Sequence, residues 1–281
     1  MSRTRTLVLI VLTMTAFAGN SLLCRLALKD TRIDAATFTS VRLISGALVL
    51  WLIVRLRGGT HSASGSWISA VALFAYAAGF SFAYLSLPVG TGALLLFGAV
   101  QATMIGYGLW LGETLRARQA VGFTFALGGL VGLLLPGLSA PPLLGSALML
   151  GAGVAWGVYS LRGRYSGDPT RTTAENFLRA VPFAMALSAA TAPWASLDSS
   201  GFWYAMSSGA LASGVGYAIW YTALKALRAT DAAAVQLSVP VIAAVGGVVF
   251  LGEHVTLRLL AASVAILGGI AMVLFNKRRA K

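Results

Sequence analysis

The chain has 281 residues, of which 58% are hydrophobic and only 10% charged, with a mean hydropathy of +0.82 and a formal net charge of +13. That balance excludes an ordinary soluble core and describes an integral membrane protein, so the positive charge does not imply a nucleic-acid partner. The single Cys24 excludes an internal disulfide framework and a CxxC redox pair.

Ten apolar spans follow in chain order. The first five run from Thr6 to Leu28, Asp34 to Val54, Trp67 to Leu87, Gly90 to Leu111 and Arg118 to Leu135. The second five run from Leu143 to Arg164, Thr173 to Thr191, Phe202 to Ala226, Asp231 to Leu251 and Leu257 to Phe275. Each is close to the ~20 residues that one helical crossing needs, and backbone polar groups in hydrocarbon must be satisfied within the segment. From Gln119 to Leu161 no Lys, Arg, Asp or Glu occurs, which leaves room for two crossings with a turn at Pro136–Pro142.

The first span opens like a signal peptide, with Arg3, Arg5, an apolar run and Ala16-Phe17-Ala18. Its partner in the second half argues for a retained helix: Ala16-Phe17, Ser21-Leu22 and Arg25 match Ala155-Trp156, Ser160-Leu161 and Arg164. This span carries Asn20 near mid-depth. The second carries Arg42 a little outside its midpoint, too deep to snorkel easily, and a cation there is a functional candidate or a brace for helix-end carbonyls. In the third, Tyr76, Phe80 and Tyr84 share a face at four-residue spacing, and the fourth has Gln101 at its centre. Trp156 and Tyr159 share a face of the sixth span, as Tyr217, Trp220 and Tyr221 do in the eighth, while Gln236 sits near mid-depth in the ninth. Such stripes are more often packing or interfacial belt than binding wall, and Tyr84 and Tyr221 are assigned to the belt. Pro182 is expected to break the seventh span. Pro240, near the middle of the ninth, Gly246, Gly98 and Gly106 are the gating or hinge candidates, with the fourth and ninth helices as related movers.

Charge orients the bundle. With the N-terminus in the cytoplasm, the inner side receives Arg3, Arg5, Arg55, Arg57, Arg116, Arg118, Arg162, Arg164, Arg171, Lys225, Arg228, Lys277, Arg278, Arg279 and Lys281. Only Lys29, Arg32 and Arg258 fall outside, as the positive-inside rule expects of a multi-pass protein of the cell inner (plasma) membrane with both termini cytoplasmic.

Leu111-Gly112-Glu113, Arg118 and Leu127-Gly128-Gly129 return 140 residues later as Leu251-Gly252-Glu253, Arg258 and Leu267-Gly268-Gly269, with both internal spacings unchanged. This is a tandem duplication, 1–138 and 139–281. Five spans per half is an odd number, so the second copy enters the membrane from the opposite side. The fold class is therefore an all-α polytopic membrane protein, ten transmembrane helices as two inverted five-helix repeats around a central cavity. In each Gly-Glu pair the glycine supplies a turn and the carboxylate favours the positive N-terminus of the next helix.

Ten spans in two halves, Arg42 and Arg179 in the second helix of each, and Leu-Gly-Glu closing each fourth helix resemble the drug/metabolite transporter superfamily, EamA-type, over nearly the whole chain. Within it the resemblance is greatest to exporters of aromatic amino acids. It implies a monomer-sized inverted-repeat bundle with a central cavity exporting a small organic metabolite by alternating access, with a dimer left open. Thr39-Ser40-Val41 precedes Arg42 whereas Asn176-Phe177-Leu178 precedes Arg179, so the two arginines need not be equivalent.

Enzymatic readings fare badly: there is no candidate catalytic residue, cofactor motif or metal-ligand pattern, and His61 and His254 lie at or near span ends. Every acid lies in a loop or near a helix end, whereas a coupled carrier usually holds a carboxylate at mid-membrane, so movement down a gradient is expected. A channel would need a continuous polar lining that these spans do not supply. A drug or other metabolite exporter of the same superfamily and a lipid-carrier flippase stay open. For an aromatic amino acid, Arg42 offers a partner for the carboxylate and Gln101 or Asn20 for the ammonium. Trp156, Tyr76 and Phe80 would flank the ring, with Tyr159, Tyr217 and Gln236 completing the expected site.

Overall fold

In a computed structural model of the protein, the described residues are 3–58, 65–112, 114–137, 140–163, 168–224, 226–227 and 235–274. Outside them lie His61, Glu113, Ser139, Arg164, Lys225, Arg228, Asp231, the C-terminal Lys277, Arg278, Arg279 and Lys281, and the expected boundary between 138 and 139.

The described residues form ten helices and no strand. These are α1 (Arg3–Asp30), α2 (Ala35–Arg57), α3 (Trp67–Tyr84), α4 (Val89–Trp110), α5 (Ala117–Leu134), α6 (Leu143–Gly163) and α7 (Pro169–Ala190). A single turn at Ala192–Trp194 leads into α8, residues 199–224, which has three contiguous stretches: α-helical Ser199–Ser207, π-helical Ser208–Val215 and α-helical Gly216–Leu224. Then come α9 (Ser238–Leu251) and α10 (Leu257–Leu274).

Seven of these helices, α1 to α6 and α10, are long and apolar enough to cross a membrane, which makes the chain a multi-pass membrane protein rather than a peripheral one. The three that differ from expectation each have a local cause. α7 opens on the polar run Thr170 to Asn176, α8 is interrupted by its π stretch, and α9 has 14 residues.

Helix starts follow from their acids. Asp34 accepts from the Ala36 and Thr37 amides at 3.0 Å, Asp168 from Thr170 and Arg171 at 3.1 and 3.2 Å, and Asp198 from Gly201 at 3.2 Å. Each satisfies amides that a helix N-terminus leaves without partners. Asp34 also ties two connections together, because its carboxylate accepts from Ser196 N at 2.9 Å and its amide donates to Ser196 O at 3.1 Å. Partial burial works to raise the pKa of this carboxyl, but the hydrogen bonds from Thr37, Ser196 and Ala36 outweigh it and leave the group below its ordinary value. The resulting stability is present above the unfolded-state pKa and is lost as pH falls through the folded one.

The packing pairs form an ordered set. α2 lies on α7 and α5 on α10; α3 lies on α6 as α1 lies on α8; α4 lies on α6 as α1 lies on α9. α5 and α10 cross at glycines. A Cβ on Gly122 would stand 2.6 Å from Gly269 O, and one on Gly129 would stand 2.9 Å from Ala265 Cβ and Ile266 Cγ1. Gly128 and Gly268 face open space. Small residues let transmembrane helices approach this closely.

Three expectations are corrected. Pro182 lies inside a continuous α7 and does not end it. Pro240 falls in the first turn of α9, where a missing N–H costs little, rather than at mid-helix. Glu253 serves another helix than the one that follows it: its Oε2 accepts from Val89 N, at the start of α4, at 2.7 Å. The glycine before it does make the turn, with φ of 62° at Gly252 and 89° at Gly112, values that suit a residue without a Cβ.

Candidate functional site

A cavity of about 320 Å³ lies within the bundle. α1 contributes Phe17, Asn20 and Ser21; α3 contributes Tyr76 and Phe80; α4 contributes Leu96, Phe97, Gln101 and Met104. From the other half come Trp156, Tyr159 and Ser160 on α6, Tyr217, Trp220 and Tyr221 on α8, and Gln236 just before α9. The lining reaches Gly163 and Pro169, at the end of α6 and the start of α7. It contains no Asp, Glu, Lys or Arg among the described residues.

The rings form one connected box around Trp156. Its indole stacks on Tyr159 (centroids 5.3 Å apart, planes 24°) and on Tyr217 (5.3 Å, 19°), and meets Tyr76 at 4.8 Å. Phe17 closes on Tyr217 and Trp220 edge-on, at 5.6 and 6.1 Å. Each such pair is worth about 0.5–1.5 kcal/mol beyond its buried area, so the box is held by its own geometry. Hydrogen bonds fix its polar tips: Tyr159 Oη donates to Thr173 Oγ1 at 3.3 Å, and Thr173 Oγ1 donates to Tyr221 Oη at 3.1 Å.

Arg42 is not in this lining. Its guanidinium stands behind the wall, 2% exposed, 4.8 Å from the centroid of Phe80 and 5.2 Å from that of Tyr76. Nη2 donates to Tyr76 Oη at 2.9 Å, and Nη1 is buried without a hydrogen-bond partner among the described residues. Asn20 Nδ2 donates to the same phenol at 3.4 Å, and Ser208 Oγ donates to Asn20 Oδ1 at 2.6 Å. Arg179, the matching arginine, pairs instead with Glu175 at 3.1 Å, so the two differ in environment as their sequence contexts do.

The expected site residues Asn20, Tyr76, Phe80, Gln101, Trp156, Tyr159, Tyr217 and Gln236 thus meet at one cavity, with Arg42 a layer behind. Two belt assignments are corrected. Tyr84 is fully buried, donating to Val89 O at 3.3 Å, and Tyr221 faces the cavity, because in each case the neighbouring helices close over the ring. Phe17, Phe97 and Met104 were not expected in the site from sequence; Phe17 lies one helical turn before Asn20 and matches Trp156 in the repeat, the signals that would have found it. Of the hinge candidates, Gly98 abuts Leu130, Gly246 abuts Leu22, and Gly106 faces open space.

Next to Phe80, on the far side of Tyr84, a polar cluster ties the helices together. Arg25 Nη1 donates to Tyr84 O at 2.7 Å and Leu85 O at 3.0 Å, and Arg25 Nε lies 3.6 Å from Glu253 Oε1. With the Glu253–Val89 bond, this joins α1, α3, α4 and α9 at one face of the bundle. A second depression, about 500 Å³, lies between α5 and α10 beside Phe125, Gly128 and Ala261. Apart from Thr124 and Arg258 its lining is apolar, and it shares no residue with the ring box.

The EamA-like transporter family matches residues 143–275. Over 271 residues the chain is 58% identical to the uncharacterized protein PA1977 of Pseudomonas aeruginosa, covering 96% of this chain and 94% of that one. A solved structure, described only as a crystal structure of a protein, aligns with a TM-score of 0.70 over 99% of this chain and 100% of its own. The two share 19% identity, so that likeness concerns the fold alone.

Proposed function

We propose that this chain, whose residues 143–275 match the EamA-like transporter family, is a transporter of that kind that exports small amphipathic metabolites, aromatic and other neutral amino acids foremost, by alternating access. The family match and the seven membrane-length apolar helices support a multi-pass membrane transporter of the drug/metabolite transporter superfamily. The observation that carries the substrate reading is the ring box: Tyr76, Trp156, Tyr159 and Tyr217 around a cavity of about 320 Å³, with the Gln101 and Gln236 amides on its wall. That volume is near the lower end for small-molecule sites, which favours a solute of side-chain size over a lipid carrier.

The inverted repeat, 1–138 and 139–281, draws support from the packing pairs, which exchange when the halves are exchanged. Under that architecture the protein lies in the cell inner membrane with both termini cytoplasmic, so the face with Arg25 and Glu253 is external. Cys24 is buried, so a membrane-impermeant maleimide reports only an added thiol. Arg32→Cys is expected to label from outside alone; labelling only from the cytoplasm would sink the orientation.

Transport is expected to be uncoupled, because the described cavity lining holds no acid. In proteoliposomes, labelled phenylalanine should equilibrate down its gradient without an imposed pH or sodium gradient, and faster than in empty vesicles. Accumulation driven by a pH gradient alone would implicate an acid near a helix end, Glu175 or Asp231. Absence of flux for every ring-bearing solute would remove the aromatic reading.

A further inference from the structure

The polarity of the hydrogen bonds behind the ring box says which end of a solute that box reads. Tyr76 Oη accepts twice, from Arg42 Nη2 at 2.9 Å and from Asn20 Nδ2 at 3.4 Å. With its acceptor capacity used, the hydrogen-bonding function left to this phenol is its own proton. Among the described residues no side chain or carbonyl takes that proton, and Tyr76 borders the cavity. Asn20 is oriented by Ser208 Oγ on its Oδ1, which leaves Nδ2 with a second N–H beyond the one given to Tyr76. The two residues that carry these donors, Tyr76 and Asn20, both border the cavity.

The charge behind them acts in the same sense. The Arg42 guanidinium is buried, has no carboxylate partner among the described residues, and carries an Nη1 with no hydrogen bond there. A buried cation without a counter-ion is costly, and a ligand anion beside it offsets that cost. With no acid in the described lining to cancel it, the field at the Tyr76 end of the cavity is positive.

We propose that the Tyr76 hydroxyl reads an anionic oxygen of the transported solute, a carboxylate in an aromatic amino acid or arylalkanoic acid. Arg42 is a positioning residue that holds this phenol from behind and strengthens it as a donor. The guanidinium does not touch the solute. The inference rests on the ring-bearing-solute reading and adds the rule that acids pass and bare amines do not. It also reassigns the carboxylate partner from Arg42, as the sequence suggested, to the group in front of it.

The test compares three solutes with one ring and different heads, phenylalanine, 3-phenylpropionate and phenethylamine, in proteoliposomes of the full chain. Wild type is expected to favour both acids over the amine by about tenfold or more, the factor that one charge-assisted hydrogen bond supplies. Tyr76→Phe should cut the acid-to-amine ratio by about tenfold, a selectivity readout that a merely structural role would not move. Arg42→Gln should cut the ratio similarly and Arg42→Lys should largely restore it. Should Arg42→Gln fail to fold, Tyr76→Phe still decides, since it removes a single oxygen from a packed ring. The reverse amide orientation, with Asn20 taking the phenol proton, leaves no donor and gives an unchanged ratio in Tyr76→Phe. That result, or a wild type that carries the amine as fast as the acids, overturns the inference alone. A wild type that moves none of the three removes the ring-bearing reading as well.

Discussion

Leucine in place of Gly269 is expected to leave no folded, monodisperse protein, whereas alanine at the adjacent Gly268 is tolerated. Any Cβ on Gly269 would run into the backbone carbonyl of Gly122 and stand 2.7 Å from Ala126 N. These are main-chain atoms, so the strain cannot be relieved by turning a side chain. Overpacking of this kind costs about 1–3 kcal/mol for small insertions, and a leucine adds three further carbons to the same seam. α5 and α10 pack chiefly on each other, so forcing them apart detaches two helices together. Gly268 meets nothing within 4 Å, and alanine there recovers helix propensity of up to about 1 kcal/mol. Melting curves and gel filtration of the purified variants check both; a wild-type profile for Gly269→Leu would refute the seam.

The repeated Leu-Gly-Gly was legible as a repeat, and with it the pairing of the two halves became a reasonable expectation. Which glycine of each pair mattered was not legible. Identity and spacing give depth along a helix but not the direction a residue faces once neighbours are in place. Arg42 illustrates the same gap. The side chain is buried, yet the sequence could not say that Tyr76 and Phe80 stand between it and the cavity. The ring stripe on α3 was easier, because Tyr76, Phe80 and Tyr84 advance by four and must share a face. Phe17 and Tyr221 were harder, because what they touch is set by contacts between α1 and α8.

Removing the Glu253 carboxylate is the second large effect. Glu253→Ala is expected to lower stability by about 3 kcal/mol, the lower end for breaking a largely buried ion pair, since both partners retain slight exposure. The loss has two parts: the Val89 amide at the start of α4 loses its acceptor, and Arg25 loses its counter-charge while still held to Tyr84 and Leu85 carbonyls. Glu253→Gln keeps an oxygen for Val89 and should fall between. Because this cluster ties α1 to α3 and α4 one helical turn beyond Ser21, which borders the cavity, a thiol introduced at Ser21 should become reachable from the external side in Glu253→Ala. An unchanged melting temperature together with unchanged labelling would show that the cluster is ornamental. The partner of Glu253 lies 164 positions earlier in the chain, a separation at which local pattern carries no information.

The π stretch of α8 has a mechanical consequence. Ser208–Val215 follows wider i→i+5 bonding, and Gly209 within it lies directly against the Arg42 carbonyl and the Ser45 hydroxyl, where no larger residue would fit. Everything beyond this stretch, including Tyr217, Trp220 and Tyr221, hangs from its winding. Rewinding by a single residue to α geometry would turn that part of the helix by about 100° while shifting it only about 1.5 Å along its axis. One wall of the ring box is in effect mounted on a torsional swivel. A solute held there could be uncovered by a change of winding in eight residues, without the whole half-bundle having to tilt.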